Sequence, residues 1–527
     1  MTFSPSDDRD RAIVRRNDYD AVRPDPEQAP SRTVSVVVPA YLDQAKLDLT
    51  LAALAAQSYP SELMEVVVAD DGSEPPLRLP EIRPEHTRIV RTPEGEWGIA
   101  AAVDTAIRAS EGEVVLRLDS DVVPVRDHVE SHLRWHHVGD GFVVLGKLAF
   151  VDVEAEDLHP VKVRDAVAAD ESRALFEGLD YDQDWQIGLV KESGGRIDDE
   201  VRAFITANGA TISFTRRMHD ACGGLDRSMP LGSDTEFGYR MAQLGAVFVP
   251  EERAGAWHLG ISQMKSARKK AGTRFRHQYM SGRVPSLRYL RNRPGLQWRV
   301  PYVEVVVDTA EAKLEHVRTT LTTVFGGALP DVSVVLVGPW GELDGGRFAP
   351  LDDPLSEPRL IREAFGGDQR ISFAEEPDRT AEPIPFRLTL RAGAALEFDA
   401  LGRLVEYADE RHLGLIELGG RGTERIAVLE RTAAVNRAIR LGIGDDADAI
   451  ERVWGAAVEP ADRWLRPAKG AENAVVRRRR MAGLGLELAR LRSDERYAAV
   501  ERNRFGRFAV RARRGLGRRL RRLLPRR

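Results

Sequence analysis

Short β-branched segments alternate with helical stretches along the first quarter of the chain, and several of them stop at an acid-bearing cluster. VSVVV at 34–38 predicts a strand bounded by Pro39, and a Leu- and Ala-rich helix follows over about Lys46–Gln57. A second strand, Glu65–Ala69, runs into Asp70-Asp71-Gly72-Ser73. A third fits Arg88–Arg91, a helix fits Ile99–Ala109, and a strand over Glu113–Leu118 runs into Asp119-Ser120-Asp121. This alternation predicts an α/β fold with a mostly parallel central sheet and crossover helices. Such sheets bind ligands beyond the carboxyl ends of their strands, which is where these acids fall.

Beyond this core, residues 160–200 read as helical and charged, 204–214 as a strand containing a turn, 234–244 as a helix and Ala246–Pro250 as a strand. Basic and aromatic residues over 262–300 close the unit. Near Val303 a second half begins that reads as a worn copy of the first. Residues 34–73 lie over 303–341, and 116–146 lie over 388–419. The overlay sets Asp70 and Asp71 against Gly338 and Pro339, and Asp119 and Asp121 against Arg391 and Gly393. The chain is therefore divided into a disordered tail over 1–31, a catalytic unit over 32–300, an acid-depleted repeat over 301–445 and a basic helical region over 446–527.

Composition narrows the classes. A length of 527 residues suits two to four domains. No apolar run reaches a membrane span, and the first residues lack the apolar core of a secretory signal. The single cysteine, Cys222, excludes an intrachain disulfide and a cysteine zinc site. The net charge of −5 conceals an asymmetry: residues 501–527 carry twelve arginines and one acid, leaving −16 on the rest. Phe505, Phe508, Ala512, Leu516, Leu520 and Leu523 recur there at three- and four-residue steps among the arginines. The pattern predicts a basic amphipathic helix suited to an anionic membrane surface, with a disordered basic tail, a body-packed helix and nucleic acid as the other readings.

Four residue groups carry chemistry. Asp119 and Asp121, one residue apart past a buried strand, can converge on one divalent cation, Mn²⁺ or Mg²⁺. Asp70 and Asp71 can accept hydrogen bonds from a base or ribose. Asp234, with Glu236 in the same first helical turn, is placed to act as a base, and His258 offers an imidazole to a metal. Taken singly, each also fits a turn, a helix cap or a packed core histidine.

Together and in order, VSVVVPAY, VVVADDGS, GEVVLRLDSDVVP, NGATISFTRRMHDACGGLD and GSDTEFGYRMAQLGAVFV resemble the inverting family 2 glycosyltransferases of GT-A fold over about residues 33–260. The Ser-Asp-x-Glu-Phe-Gly-Tyr-Arg pattern is similar to the non-processive subset that includes polypeptide N-acetylgalactosaminyltransferases and chondroitin polymerases. The resemblance implies that Pro39 and Tyr41 line a base pocket and that Asp70, beside Asp71, binds the uracil edge. It implies that Asp119 contacts the ribose or metal-bound water, that Asp121 and His258 hold the metal, that Asp234 is the general base and that Glu236 orients the acceptor or the helix start. The donor it implies is a nucleotide sugar, and the acceptor a glycan or lipid-linked glycan of the cell envelope. The expected location is cytoplasmic, peripheral on the inner face of the membrane. Leu42, Val103-Asp104 and Ser233 depart from the residues common at those positions, and no Gln-x-x-Arg-Trp segment of processive synthases is present. A non-catalytic glycan-binding scaffold is the alternative, and a nucleotidyltransferase is weaker because VPAYLDQAK has no glycine.

Overall fold

The computed structural model describes residues 13–207, 209–260, 269–291, 296–344, 348–419 and 425–466. The arginine-rich tail expected to form an amphipathic helix lies outside them. The first half builds strands β1 (Val34–Ala40), β2 (Met64–Asp70), β3 (Thr87–Arg91), β4 (Val114–Leu118), β5 (Val122–Pro124), β6 (Phe142–Val151), β7 (Tyr181–Gln183), β8 (Thr211–Thr215) and β9 (Val247–Leu259). Its helices are α1 (Gln44–Leu54), α2 (Ile99–Arg108), α3 (His128–Val138), α4 (Pro160–Ala168), α5 (Trp185–Glu192), α6 (Glu200–Ile205), α7 (Arg216–Ala221), α8 (Ser233–Gln243) and α9 (Lys269–Arg283). The sheet order is β3-β2-β1-β4-β8-β6-β9-β5, with β7 beside β6. Parallel β3-β2-β1-β4 forms its core, as the alternation predicted. Every residue of β1 and β4 is buried, which suits strands covered on both faces by crossover helices. The strand expected over 204–214 starts only at Thr211. The apolar residues before it, Ala203 and Phe204, are instead packed in the core from α6.

The second half adds β10 (Val303–Asp308), β11 (Val332–Val337), β12 (Ile371–Ala374), β13 (Phe386–Arg391), β14 (Ala395–Leu396), β15 (Leu415–Gly419), β16 (Arg425–Arg431), β17 (Ala456–Pro460) and β18 (Leu465–Arg466). Helices α10 (Leu314–Phe325), α11 (Ser356–Phe365), α12 (Ala400–Arg411), α13 (Thr432–Arg440) and α14 (Ala447–Val453) accompany them. Its main sheet runs β12-β11-β10-β13-β16-β15-β17. Strand for strand this matches β3-β2-β1-β4-β8-β6-β9, with the same pairs parallel and the same pairs antiparallel. Val34 pairs with Met64 and Val114, and Val303 with Val332 and Phe386. Counted from those pairs, Gly338 stands where Asp70 stands and Arg391 where Asp119 stands. A Cβ on Gly338 would meet the Trp340 ring at 3.1 Å. That indole is buried edge-on against Phe373.

Two boundaries differ from the sequence reading. The second unit does not end at 445: β17 extends its sheet and Trp464 is buried in its core. Nor are residues 13–31 a tail throughout. Val14 and Tyr19 are buried, Tyr19 lies edge-on to Trp135, and the Asn17 side chain bonds Ile197 O and both backbone groups of Phe248. One asparagine satisfying three buried backbone groups, flanked by two apolar anchors, suffices to order a polar segment.

The halves share a polar seam at the carboxyl end of α8. The buried Arg437 guanidinium donates to Gly245 O and Ala246 O, both at 2.8 Å, and to Val14 O and Arg16 O. Asn436 donates to Gln243 O, and Arg431 pairs with Glu200 at 2.9 Å and Asp409 at 2.7 Å. Gly245 has φ +80°, and a Cβ there would lie 2.7 Å from the Arg437 backbone, so glycine is needed on both counts.

On α3, His128, His132 and His136 recur every four residues and face β8, bonding Thr211 Oγ1 and Ser213 Oγ. Burial holds His128 down to about 4 and His136 to about 3, and lowers His132 well below its ordinary value. These imidazoles are neutral in the fold and protonate more readily when unfolded. Their stabilisation is full above about pH 6.5 and is lost as pH falls through that value toward 3–4. We expect unfolding free energy to drop by a few kcal/mol, roughly, across that window. The slope should flatten in His136→Gln, read by urea unfolding at stepped pH.

Candidate functional site

Tyr41, Asp70, Asp71, Asp119 and Asp121 stand at or just past the carboxyl ends of β1, β2 and β4. Asp119 and Asp121 flank the turn between β4 and β5, and β5 pairs antiparallel with β9 so that Val122 stands opposite His258. One ligand atom each from Asp119, Asp121 and His258 lies within 4.8 Å of the others. Strand pairing thus joins residues more than 130 positions apart in sequence. The His258 Nε2 is 3.4 Å from Asp121 Oδ1, its ring packs on Phe150 at 4.6 Å, and its Nδ1 is buried without a partner among the described residues.

The charge balance fits a cation. Burial raises the Asp121 carboxyl above its ordinary range, and Asp119 adds to the rise against the opposing pull of His258 and Lys46. Lys46 Nζ stands 4.0 Å from Asp121 Oδ2, and Arg117 bonds Asp119 Oδ1 at 3.1 Å. Two oxygens and one nitrogen, with carboxylates crowded in a half-buried mouth, are the donors a hard or borderline divalent ion accepts.

The pair Asp70 and Asp71 divides its work in a way the sequence did not show. Both Asp70 oxygens are committed to the loop, accepting from Ser73 N at 2.8 Å and Leu77 N at 3.2 Å. Asp71 Oδ2 accepts from Gly98 N at 2.8 Å, at the start of α2, while its Oδ1 is buried with no partner among the described residues. An unpartnered buried carboxylate oxygen costs about 1–3 kcal/mol, which a ligand N–H or O–H would recover. Of the pair, it is Asp71 that keeps a buried oxygen open to a ligand among the described residues. Asp71→Asn is expected to raise the donor KM about tenfold with little change in kcat, measured by initial rates. Asp70→Asn is expected to lower the melting temperature instead.

Pro39 is buried within β1, but Tyr41, just past it, is 47% exposed. The Tyr41 ring meets Trp97, 66% exposed, edge-on at 6.2 Å. Sequence reasoning missed Trp97 and Lys46. The available signals were a large apolar residue beside Gly98 ahead of a helix, and a cation in the first helix after β1.

Asp234 and Glu236 occupy the first turn of α8. Asp234 accepts from Thr235 N at 2.8 Å and is half-buried. Glu236 is fully engaged: Arg240 holds it through two bonds of 2.7 and 2.8 Å and also donates to Cys222 O and Gly224 O. These bonds tie the helix start to the preceding loop. Among the described residues neither acid bonds to the Asp119, Asp121 and His258 group.

Residues 35–185 match the family model described as Glycosyl transferase family 2. Among curated relatives, the chain is 24% identical over 370 residues to a chondroitin synthase of Escherichia coli, covering 66% of this chain and 50% of the relative. It is 23% identical over 370 residues to a hyaluronan synthase of Pasteurella multocida, covering 66% and 36%. The chain thus spans between about a third and half the length of these relatives. Among solved structures, a mannosyltransferase of Pyrobaculum calidifontis in complex with GDP-mannose and Mn²⁺ aligns with TM-score 0.33 and 18% identity, covering 51% of this chain and 67% of that one.

Proposed function

From the premise that the chain carries a family 2 glycosyltransferase domain, we propose that it transfers a sugar from a nucleoside-diphosphate sugar to a glycan acceptor by one inverting displacement. The observation that carries the reading is the convergence of Asp119, Asp121 and His258 at the same sheet edge as the unpartnered oxygen of Asp71. Asp71 accepts a hydrogen bond from the donor base, and Tyr41 and Trp97 give the base an aromatic wall. A divalent cation, Mn²⁺ or Mg²⁺, held by Asp119, Asp121 and His258 would supply positive charge to the departing diphosphate. Asp234 takes the proton of the attacking acceptor hydroxyl. Glu236 and Arg240 hold the turn that presents Asp234. UDP-sugars are the donors we would try first.

The second half is, in this reading, a copy that kept the sheet and lost the chemistry. Glycine and arginine stand where the first half has Asp70 and Asp119, and the buried Trp340 indole packs beside Gly338. It serves as a buttress to the first half through the seam at α8. Among the described residues no helix is long and apolar enough to cross a membrane. The acceptor is cytoplasmic or presented at the inner membrane face, with the tail as the membrane contact.

The test is release of nucleoside diphosphate from a panel of nucleotide sugars with Mn²⁺, Mg²⁺ or EDTA. Turnover with one donor, abolished by EDTA, is expected. Absence of binding and turnover with every donor would sink the reading and leave a glycan-binding scaffold.

A further inference from the structure

Helix α9 contains five lysines and arginines and no acid, in a chain whose net charge is −5. Two contacts fix it against the loop that leads into α8. Arg283 Nε bonds Asp226 Oδ2 at 2.7 Å, and its other nitrogen bonds Ser228 Oγ at 3.0 Å. About two turns earlier, the aliphatic stem of Arg276 lies over Gly232, where a Cβ would come within 2.6 Å of its Cγ. Gly232 has φ +83° and stands two residues before Asp234. The helix is therefore docked beside the start of α8, and its amino-terminal half continues past that point.

What this half presents is unusual for a solvated surface. Lys270 and Arg274 are exposed one turn apart, about 6 Å along the axis. With Arg276 they have no acidic partner among the described residues, whereas Arg283 at the far end is paired. Phe275, between them, is 50% exposed and stacked on Tyr279 at 5.3 Å. Unpaired cations flanking an exposed aromatic face suit a ligand that is both anionic and ring-shaped: the cations meet carboxylate or phosphate oxygens, and the ring covers a sugar's C–H face. A lipid surface would ask for an apolar stripe, and α9 exposes one large apolar residue.

We propose that the acceptor is a polyanionic glycan, seated along the amino-terminal half of α9 by Lys270 and Arg274 and against Phe275, so that its end reaches Asp234. This rests on the glycosyltransferase reading and names its acceptor class. The charge on each repeating unit adds attraction at successive positions, so affinity grows with chain length and falls with salt.

The full chain would be titrated with four fluorescent probes. They are an alternating hexosamine–hexuronate oligosaccharide, its carboxyl-reduced neutral form, a phosphodiester-linked hexose oligomer, and phosphatidylglycerol vesicles. One anionic oligomer is expected to bind at least tenfold more tightly than the neutral form, and which one it is tells carboxylate from phosphate. The tail is arginine-rich too, so the variant pairs, and not salt alone, assign the binding. Lys270→Ala with Arg274→Ala should weaken that oligomer at least tenfold, with an unchanged melting temperature as the folding control. Lys270→Arg with Arg274→Lys should restore it. Equal affinity for charged and neutral probes, or wild-type affinity in the alanine pair, overturns the proposal. So does α9-dependent capture of vesicles without the oligomers. Nucleotide-sugar turnover in the wild type is scored separately. If turnover is present and the charge preference absent, only the acceptor class fails; if turnover is absent throughout, the glycosyltransferase reading fails.

Discussion

Asp121→Ala is expected to reduce metal-dependent release of nucleoside diphosphate by at least about a thousandfold, in line with losing electrostatic stabilisation of a leaving group. The carboxylate is one of three candidate ligands and the one nearest both His258 and Lys46. Removing it leaves two donors, too few to hold a divalent ion against water. The same change should not harm the fold. Asp121 is disfavoured as an anion by burial and by Asp119, so its loss relieves repulsion. The melting temperature without metal should equal or exceed that of the wild type. Added Mn²⁺ should raise it in the wild type alone, since only a bound ion shifts unfolding. A variant that keeps Mn²⁺-induced stabilisation would remove Asp121 from the metal site.

Asp234→Asn is expected to lower kcat by roughly a thousandfold at unchanged donor KM, the size of a lost general base. The amide oxygen can still accept from Thr235 N, so the helix start is kept while the proton acceptor is lost. Circular dichroism and nucleotide affinity should match the wild type. Retention of more than a tenth of kcat would assign the proton to another group. Because Glu236 is locked by Arg240, Glu236→Gln should act differently, through a looser α8 start and a lower melting temperature.

The parts of this architecture set by local pattern were legible. The strands β1, β2 and β4 are dense in valine, the last two run into acids, and the structure places all three in the parallel core. The helix read over 234–244 is present as α8, Ser233–Gln243. What was not legible depends on partners far away in sequence. Nothing local distinguishes Asp70, which closes its own loop, from Asp71, whose second oxygen is left over only because Gly98 takes the first. Glu236 reads as a free acid until Arg240 is known to be turned toward it and not toward solvent. His128, His132 and His136 sit at plain helical spacing, and only the small hydroxyls of β8 show why three imidazoles can be buried neutral. Residues 13–31 look solvated by composition, and a few anchors outweigh that composition.

The Arg437 seam bears on how this chain can tolerate change. The four carbonyls it gathers belong to the first half, and the side chain gathering them belongs to the second. Substitution pressure on the second half is therefore lopsided. Its carboxyl sheet edge carries Gly338 and Arg391 in place of acids, while Arg431, Asn436 and Arg437 reach across to groups of the first half. In a saturation library scored for sugar transfer, Arg431, Asn436 and Arg437 should tolerate few replacements although they lie in the second half. On the buttress role proposed above, the second half is held in place by the flank that grips the first.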